Sequence, residues 1–101
     1  MAKIKSKVLS FGSSESPDVV GYKLYVAESD NDLTYESEAF ELGMVNTVDL
    51  STIPALVAKD GVFNIGVTAV DDGGNESDMS VISGVALDFL APKNPGNVSV
   101  S

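Results

Sequence analysis

Residues 61–77, GVFNIGVTAVDDGGNES, constrain the fold of this chain more than any other stretch. Phe63, Ile65, Val67 and Ala69 fall on one parity, with Asn64, Gly66 and Thr68 between them. Side chains of a strand alternate between its two faces, so this is the pattern of a strand buried on one side. Gly66 and Ala69 are small enough to let a neighbouring sheet or strand approach closely. The run then enters Asp71, Asp72, Gly73, Gly74 and Asn75, residue types suited to a tight, exposed turn. The expectation is an inner strand of a β-sandwich, with Val67 at the centre of the core, ending in a loop.

A chain of 101 residues is one domain by length. Such a chain buries about 65% of the surface its unfolded form exposes. Its 44% hydrophobic content supplies a core and argues against disorder. With four Phe, three Tyr and no Trp, that core must be mostly aliphatic. There is no cysteine and no histidine. Disulfides, thiol chemistry, the usual general base and the commonest transition-metal ligand are thereby removed, which argues against an enzyme. The net charge of −9, from fifteen acids against six lysines, disfavours nucleic acid and anionic membranes as partners. Its ordinary consequence is a soluble, self-repelling surface. No apolar run is long enough for a transmembrane helix, and MAKIKSKV, with no apolar stretch behind its lysines, does not read as a signal peptide.

Elsewhere the chain reads as short strands between turns. Residues 2–11 are strand-like, with Leu9 and Phe11 on one parity and Ile4 and Val8 on the other, which implies a bulge or a two-sided strand. Residues 12–18, GSSESPD, form a turn. In residues 19–27, VVGYKLYVA, the row Val20, Tyr22, Leu24 and Val26 faces inward, and Gly21, Lys23 and Tyr25 face water. Residues 28–41 carry six acids and no base, and read as a long loop with a short strand near 38–42. Residues 45–50 are a strand with Val48 and Leu50 inward. Residues 51–60, STIPALVAKD, admit a helical turn capped by Ser51 or Thr52, with Pro54 at an early position. Residues 79–87 are the last strand, weakened at Gly84. Residues 91–96, APKNPG, are a linker, after which NVSVS resumes alternation.

Several short strands at this spacing predict an all-β sandwich of two antiparallel sheets. The motifs resemble those of a fibronectin type III domain, an immunoglobulin-like sandwich. VVGYKLYVA is similar to the family's third strand, "GY-x-V-Y", and residues 61–77 to its sixth, "Y-x-x-x-V-x-A-V-D-x-x-G-N-E-S". Residues 80–84 would then begin the seventh strand. The resemblance covers roughly residues 2–87 and departs from the family in places. Phe11 stands at the family's second-strand tryptophan and Phe63 at its corner tyrosine, and residues 51–60 are longer than the usual turn. The family's first strand, typically "P-x-x-P-x-N-V-x-V", is missing or replaced, whereas APKNPGNVSVS at residues 91–101 looks like that strand. The resemblance therefore implies residues 1–90 as the domain and 91–101 as a linker with the first strand of a following repeat.

Candidate sites are few. Asp71, Asp72, Asn75, Glu76 and Asp78 offer hard oxygen ligands on one loop, the pattern Ca²⁺ wants, against the plainer reading of a solvated turn. Asp30, Asp32, Thr34, Glu36, Glu38 and Glu41 fall at spacings faintly like an EF-hand loop, but Tyr35 occupies the required glycine position. Paired carboxylates lie in loops with no apolar pocket to raise a pKa. Tyr25 and Tyr35 are candidates for a small binding patch, and Asn75 and Asn97 begin glycosylation sequons.

The expectation is a non-catalytic, monomeric structural or spacer module, without cofactors, of a larger extracellular, cell-surface or periplasmic protein, its partners being neighbouring domains of the same polypeptide. The alternative is adhesion to a carbohydrate or protein ligand, with or without Ca²⁺, through residues 12–18, part of 28–41 and 71–78 at one pole. Val98 and Val100 are able to cover the edge left by the missing strand, from within the chain or from a neighbouring molecule. Returning within the chain needs about 30 Å, which ten extended residues only just span. The tail is therefore expected to project as a linker.

Overall fold

The computed structural model describes residues 7–89 and 92–100. The chain is an all-β sandwich. Its strands are β1 (Val8–Ser10), β2 (Val19–Glu28), β3 (Glu38–Gly43), β4 (Thr47–Asp49), β5 (Asp60–Asp71) and β6 (Ser80–Asp88). A four-stranded antiparallel sheet, in the order β3-β2-β5-β6, faces a two-stranded one, β1-β4. Between β4 and β5 lie a 3-10 turn (Leu50–Thr52) and a helical turn, α1 (Pro54–Val57).

The core fills the space between the sheets. Leu24 and Val26 from β2, Phe63 and Ile65 from β5, and Leu87 and Phe89 at the end of β6 are buried with Leu50 and Leu56 from the β4–β5 connection. Leu9, Phe40, Leu42, Val48 and Val85 close its margins. Leu56 is fully buried, so the helical turn acts as a plug under one end of the sandwich. Pro54 opens that turn, its fixed φ and missing N–H both suiting a first helical position. The expected caps, Ser51 and Thr52, do not serve. Asp49 caps the 3-10 turn, its carboxylate accepting from the Ser51 N–H (3.0 Å) and hydroxyl (2.6 Å). α1 itself follows Ile53 with no side-chain cap.

Inside–outside expectations are corrected at Val67, Val20, Tyr25 and Gly21, the last being buried beside the Gly43 backbone instead of facing water. Val67 is half-buried, not central: the small sheet covers Phe63 and Ile65 and stops short of it. Val20 is 55% exposed, because the β2–β5 register shifts between Val19 and Gly21 and turns its side chain out of the inward row. Tyr25 does not face water and is fully buried. The connection from β2 to β3 folds back over the outer face of the large sheet, bringing Leu33 and Tyr35 there, and Met79 joins them before β6. Gly66, paired with Tyr25 across the strands, makes this cover fit, since a Cβ there would run into Met79 and press on Leu33. The close approach expected at Gly66 is thus made by side chains of two connections.

The strand expected over residues 2–11 is described only from residue 7, and its earlier part lies outside the described residues. The strand expected at 45–50 is the short β4. Gly84, at φ +71°, sits where the β5–β6 register slips, and its N–H donates to Asn64 Oδ1 (3.4 Å). The interruption there is a bulge that a left-handed glycine makes cheap. Residues 92–100 form no strand, and Val98 and Val100 are 89% and 97% exposed. The described part of the expected linker is open chain; residues 91 and 101 lie outside the described residues.

Candidate functional site

The chemistry-bearing side chains that come together do so at the end of β5, around the hairpin that leads to β6. Asp71 closes the turn. Its carboxylate accepts from the Gly73 N–H (2.9 Å), the Asn75 N–H (2.8 Å) and the Asn75 side-chain amide (3.1 Å). The Asp71 N–H donates to the Asn75 carbonyl (3.0 Å). Gly74 supplies the positive φ, +84°, that the reversal requires. The bonds from Asn75, then those from the backbone of Gly73 and Gly74, hold the Asp71 carboxyl below the ordinary aspartate range.

Past the turn, Val70 and Glu76 bridge, so Glu76 lies on the outer face of the sheet with Thr68. Lys23 and Tyr25 stand beside it on β2, with Lys23 paired to Thr68 across the strands. The Tyr25 hydroxyl donates a hydrogen bond to Glu76 Oε1. The Thr68 hydroxyl donates to the same oxygen at 2.8 Å, and Lys23 Nζ approaches Oε2 at 3.8 Å. Lys23 also lies over the Tyr25 ring, 5.5 Å from its centroid, and Tyr35 meets that ring edge-on at 5.9 Å. These donors, Tyr25 first, then Thr68 and Lys23, keep Glu76 below the ordinary glutamate range against the opposing effect of burial. Burial, then the Glu76 carboxylate, pushes the Tyr25 phenol up to about 12.

The candidate calcium ligands are therefore divided. Asp71 faces the turn backbone, Glu76 faces the tyrosine, and Asp72 and Asp78 are exposed without joining either group. Among the described residues no three acidic side chains come close enough to hold a metal ion. The Tyr25–Tyr35 binding patch is corrected too. Tyr25 is buried, and Tyr35 is fixed by donating its hydroxyl to the Ser77 carbonyl (2.7 Å).

The three loops expected at one pole do not gather there. Val19 pairs with Asp71, which places residues 12–18 and 71–78 together, and the Asp72 N–H donates to the Asp18 carbonyl (3.2 Å). Glu28 pairs with Phe63, so the 28–41 connection leaves from the opposite end. Tyr35, by folding back, reaches the 71–78 hairpin. Beside this pole an open groove of about 330 Å³ runs between Phe11 and Tyr22 on one side and Val67, Ala69 and Ser80 on the other.

Sequence reasoning passed over the Lys23–Tyr25–Thr68–Glu76 cluster because it assigned that parity to solvent. The signal was present: three polar-tipped residues share one face of two adjacent strands, with an acid just past the hairpin. What the cluster does chemically is join the hairpin to the sheet. No protein-family model matches this chain, nor does any curated protein or solved structure.

Proposed function

We propose that the chain is a non-catalytic spacer module, of the fibronectin type III kind, within a larger extracellular or cell-surface protein. The observation that carries this reading is how four of the hairpin's polar side chains are used, Asp72 and Asp78 standing exposed. Asp71, Asn75, Glu76 and Ser77 bond to one another, to the hairpin backbone and to the sheet, which stiffens the loop where a ligand-binding module would present free groups. Two further observations support it. The motif-bearing stretches 19–27 and 61–77 supply the two central strands of the larger sheet, the second running on into the hairpin. The molecule is also elongated, 67 × 27 × 18 Å, with its tail exposed.

The test is a titration of the isolated protein with Ca²⁺ to millimolar concentration, and separately with soluble oligosaccharides, followed at the Gly73 and Gly74 amides by NMR. The spacer reading expects unchanged shifts. Specific submillimolar binding of either would overturn it in favour of an adhesion module.

A further inference from the structure

Among the described residues β1 pairs with β4 alone. The Leu50 N–H donates to the Lys7 carbonyl (2.8 Å) and the Phe11 N–H to the Asn46 carbonyl (2.9 Å). These bonds make Lys7, Leu9 and Phe11 the residues whose backbone faces β4. In an antiparallel ladder the alternate residues aim their N–H and C=O the other way, so Val8 and Ser10 present theirs at the opposite edge. Lys7 donates its ammonium to the Ala86 carbonyl, which shows that β1 lies toward the β6 side of the large sheet. Inward-facing side chains there are uncovered. Ile82 is 51% exposed although its cross-strand partner Ile65 is buried, and Val67 is half-buried and lines the 330 Å³ groove. Among the described residues the smaller sheet falls one strand short of covering the larger.

The same chain carries a segment of strand-like alternation that pairs with no sheet. Val98 and Val100 share one parity, Asn97 and Ser99 the other, and both valines stand almost wholly in water. The longest strand, β5, spans about 40 Å, against a molecular length of 67 Å, and the exposure of both tail valines shows that they are not packed on their own body. Nine residues from Phe89 to Val98 cover about 30 Å at most, and Pro92 and Pro95 stiffen the path back.

We propose that residues 97–100 of one copy add as an antiparallel strand to the β1 edge of a second copy. Main-chain bonds from residues 97 and 99 meet Val8 and Ser10, which sets Val98 and Val100 on the inward face beside Leu9, over Val67 and Ile82. Donor and acceptor occupy different places on each copy, so the contact builds either a reciprocal pair or an open chain. Residues 94–100 carry no charge, whereas the whole chain carries −9. Salt that screens repulsion between bodies therefore strengthens the contact, and the monomer expected from charge is its dilute, low-salt form. The inference stands apart from the spacer reading, since it needs only the edge, the open face and the tail.

The experiment is sedimentation of the full chain across concentration and salt, with amide exchange read at Val8 and Ser10. The expected result is self-association with a Kd of about 0.1–1 mM, tightening in about 1 M salt, with Val8 and Ser10 becoming protected as concentration rises. The double variant Val98→Lys/Val100→Lys weakens it at least tenfold while melting like the parent at low concentration, and Val98→Pro weakens it through the backbone alone. A chain monomeric at about 1 mM in high salt would overturn the proposal. So would association indifferent to the tail variants, protection of Val8 and Ser10 at every concentration, or a lower melting temperature of the variants in dilute solution.

Discussion

Tyr25 brings a hydroxyl to a buried position, and its bond to Glu76 decides what that burial costs. Replacing it by Phe leaves Glu76 with one donor fewer and is expected to lower stability by about 1–3 kcal/mol in denaturant unfolding. The pH dependence follows from the same pair. Glu76 is depressed in the fold, so its contribution is present above the ordinary glutamate pKa, about 4.3, and is lost as pH falls through the lower folded value. Tyr25 is raised to about 12, so its contribution is present below about 10 and is lost as pH climbs through 12. Melting temperature should fall at both extremes, and Tyr25→Phe should flatten the alkaline fall. A second pair of substitutions tests the inside–outside correction. Ile65→Ala, at a fully buried site, should cost about 2–5 kcal/mol, and the half-buried Val67→Ala about 1 kcal/mol or less. Equal costs would return Val67 to the centre of the core.

At the scale of elements, the two central strands were legible because their period-two rows are long and uninterrupted. Phe63 and Ile65 read correctly for that reason, whereas Val67 did not, since where the facing sheet stops is a tertiary fact. The helical turn was legible from Pro54. Its neighbouring cap was not, because Asp49 is both the last residue of β4 and the cap of the 3-10 turn, and a strand pattern does not mark a cap. The outer cover was the least legible element. Leu33, Tyr35 and Met79 belong to irregular connections, and no periodicity marks an irregular segment as buried. The hairpin cluster stayed hidden with it, as Tyr25 reads as wet until that cover is in place. Two expectations belong at this scale. Leu56→Ala removes the plug from the core and should cost about 2–5 kcal/mol by chemical denaturation. Asp71→Ala frees the turn amides, so Gly73 and Asn75 should exchange hydrogen markedly faster while β2 keeps its protection.

At the scale of the whole molecule, a sheet covered on its outer face and over part of its inner face stands with an exposed tail. The radius of gyration of 17.0 Å exceeds the roughly 13 Å of a compact chain of this length, as a projecting tail requires. Residue-resolved amide exchange on dilute protein tests both halves at once. The account predicts that Leu24, Tyr25, Val26, Ile65 and Thr68 exchange only through global unfolding, the outward-facing Tyr25 and Thr68 as slowly as the inward-facing Leu24, while Val98 and Val100 exchange as freely as an unfolded peptide. Fast exchange at Tyr25 and Thr68, or protection of Val98 and Val100 matching that of Ile65, would contradict it.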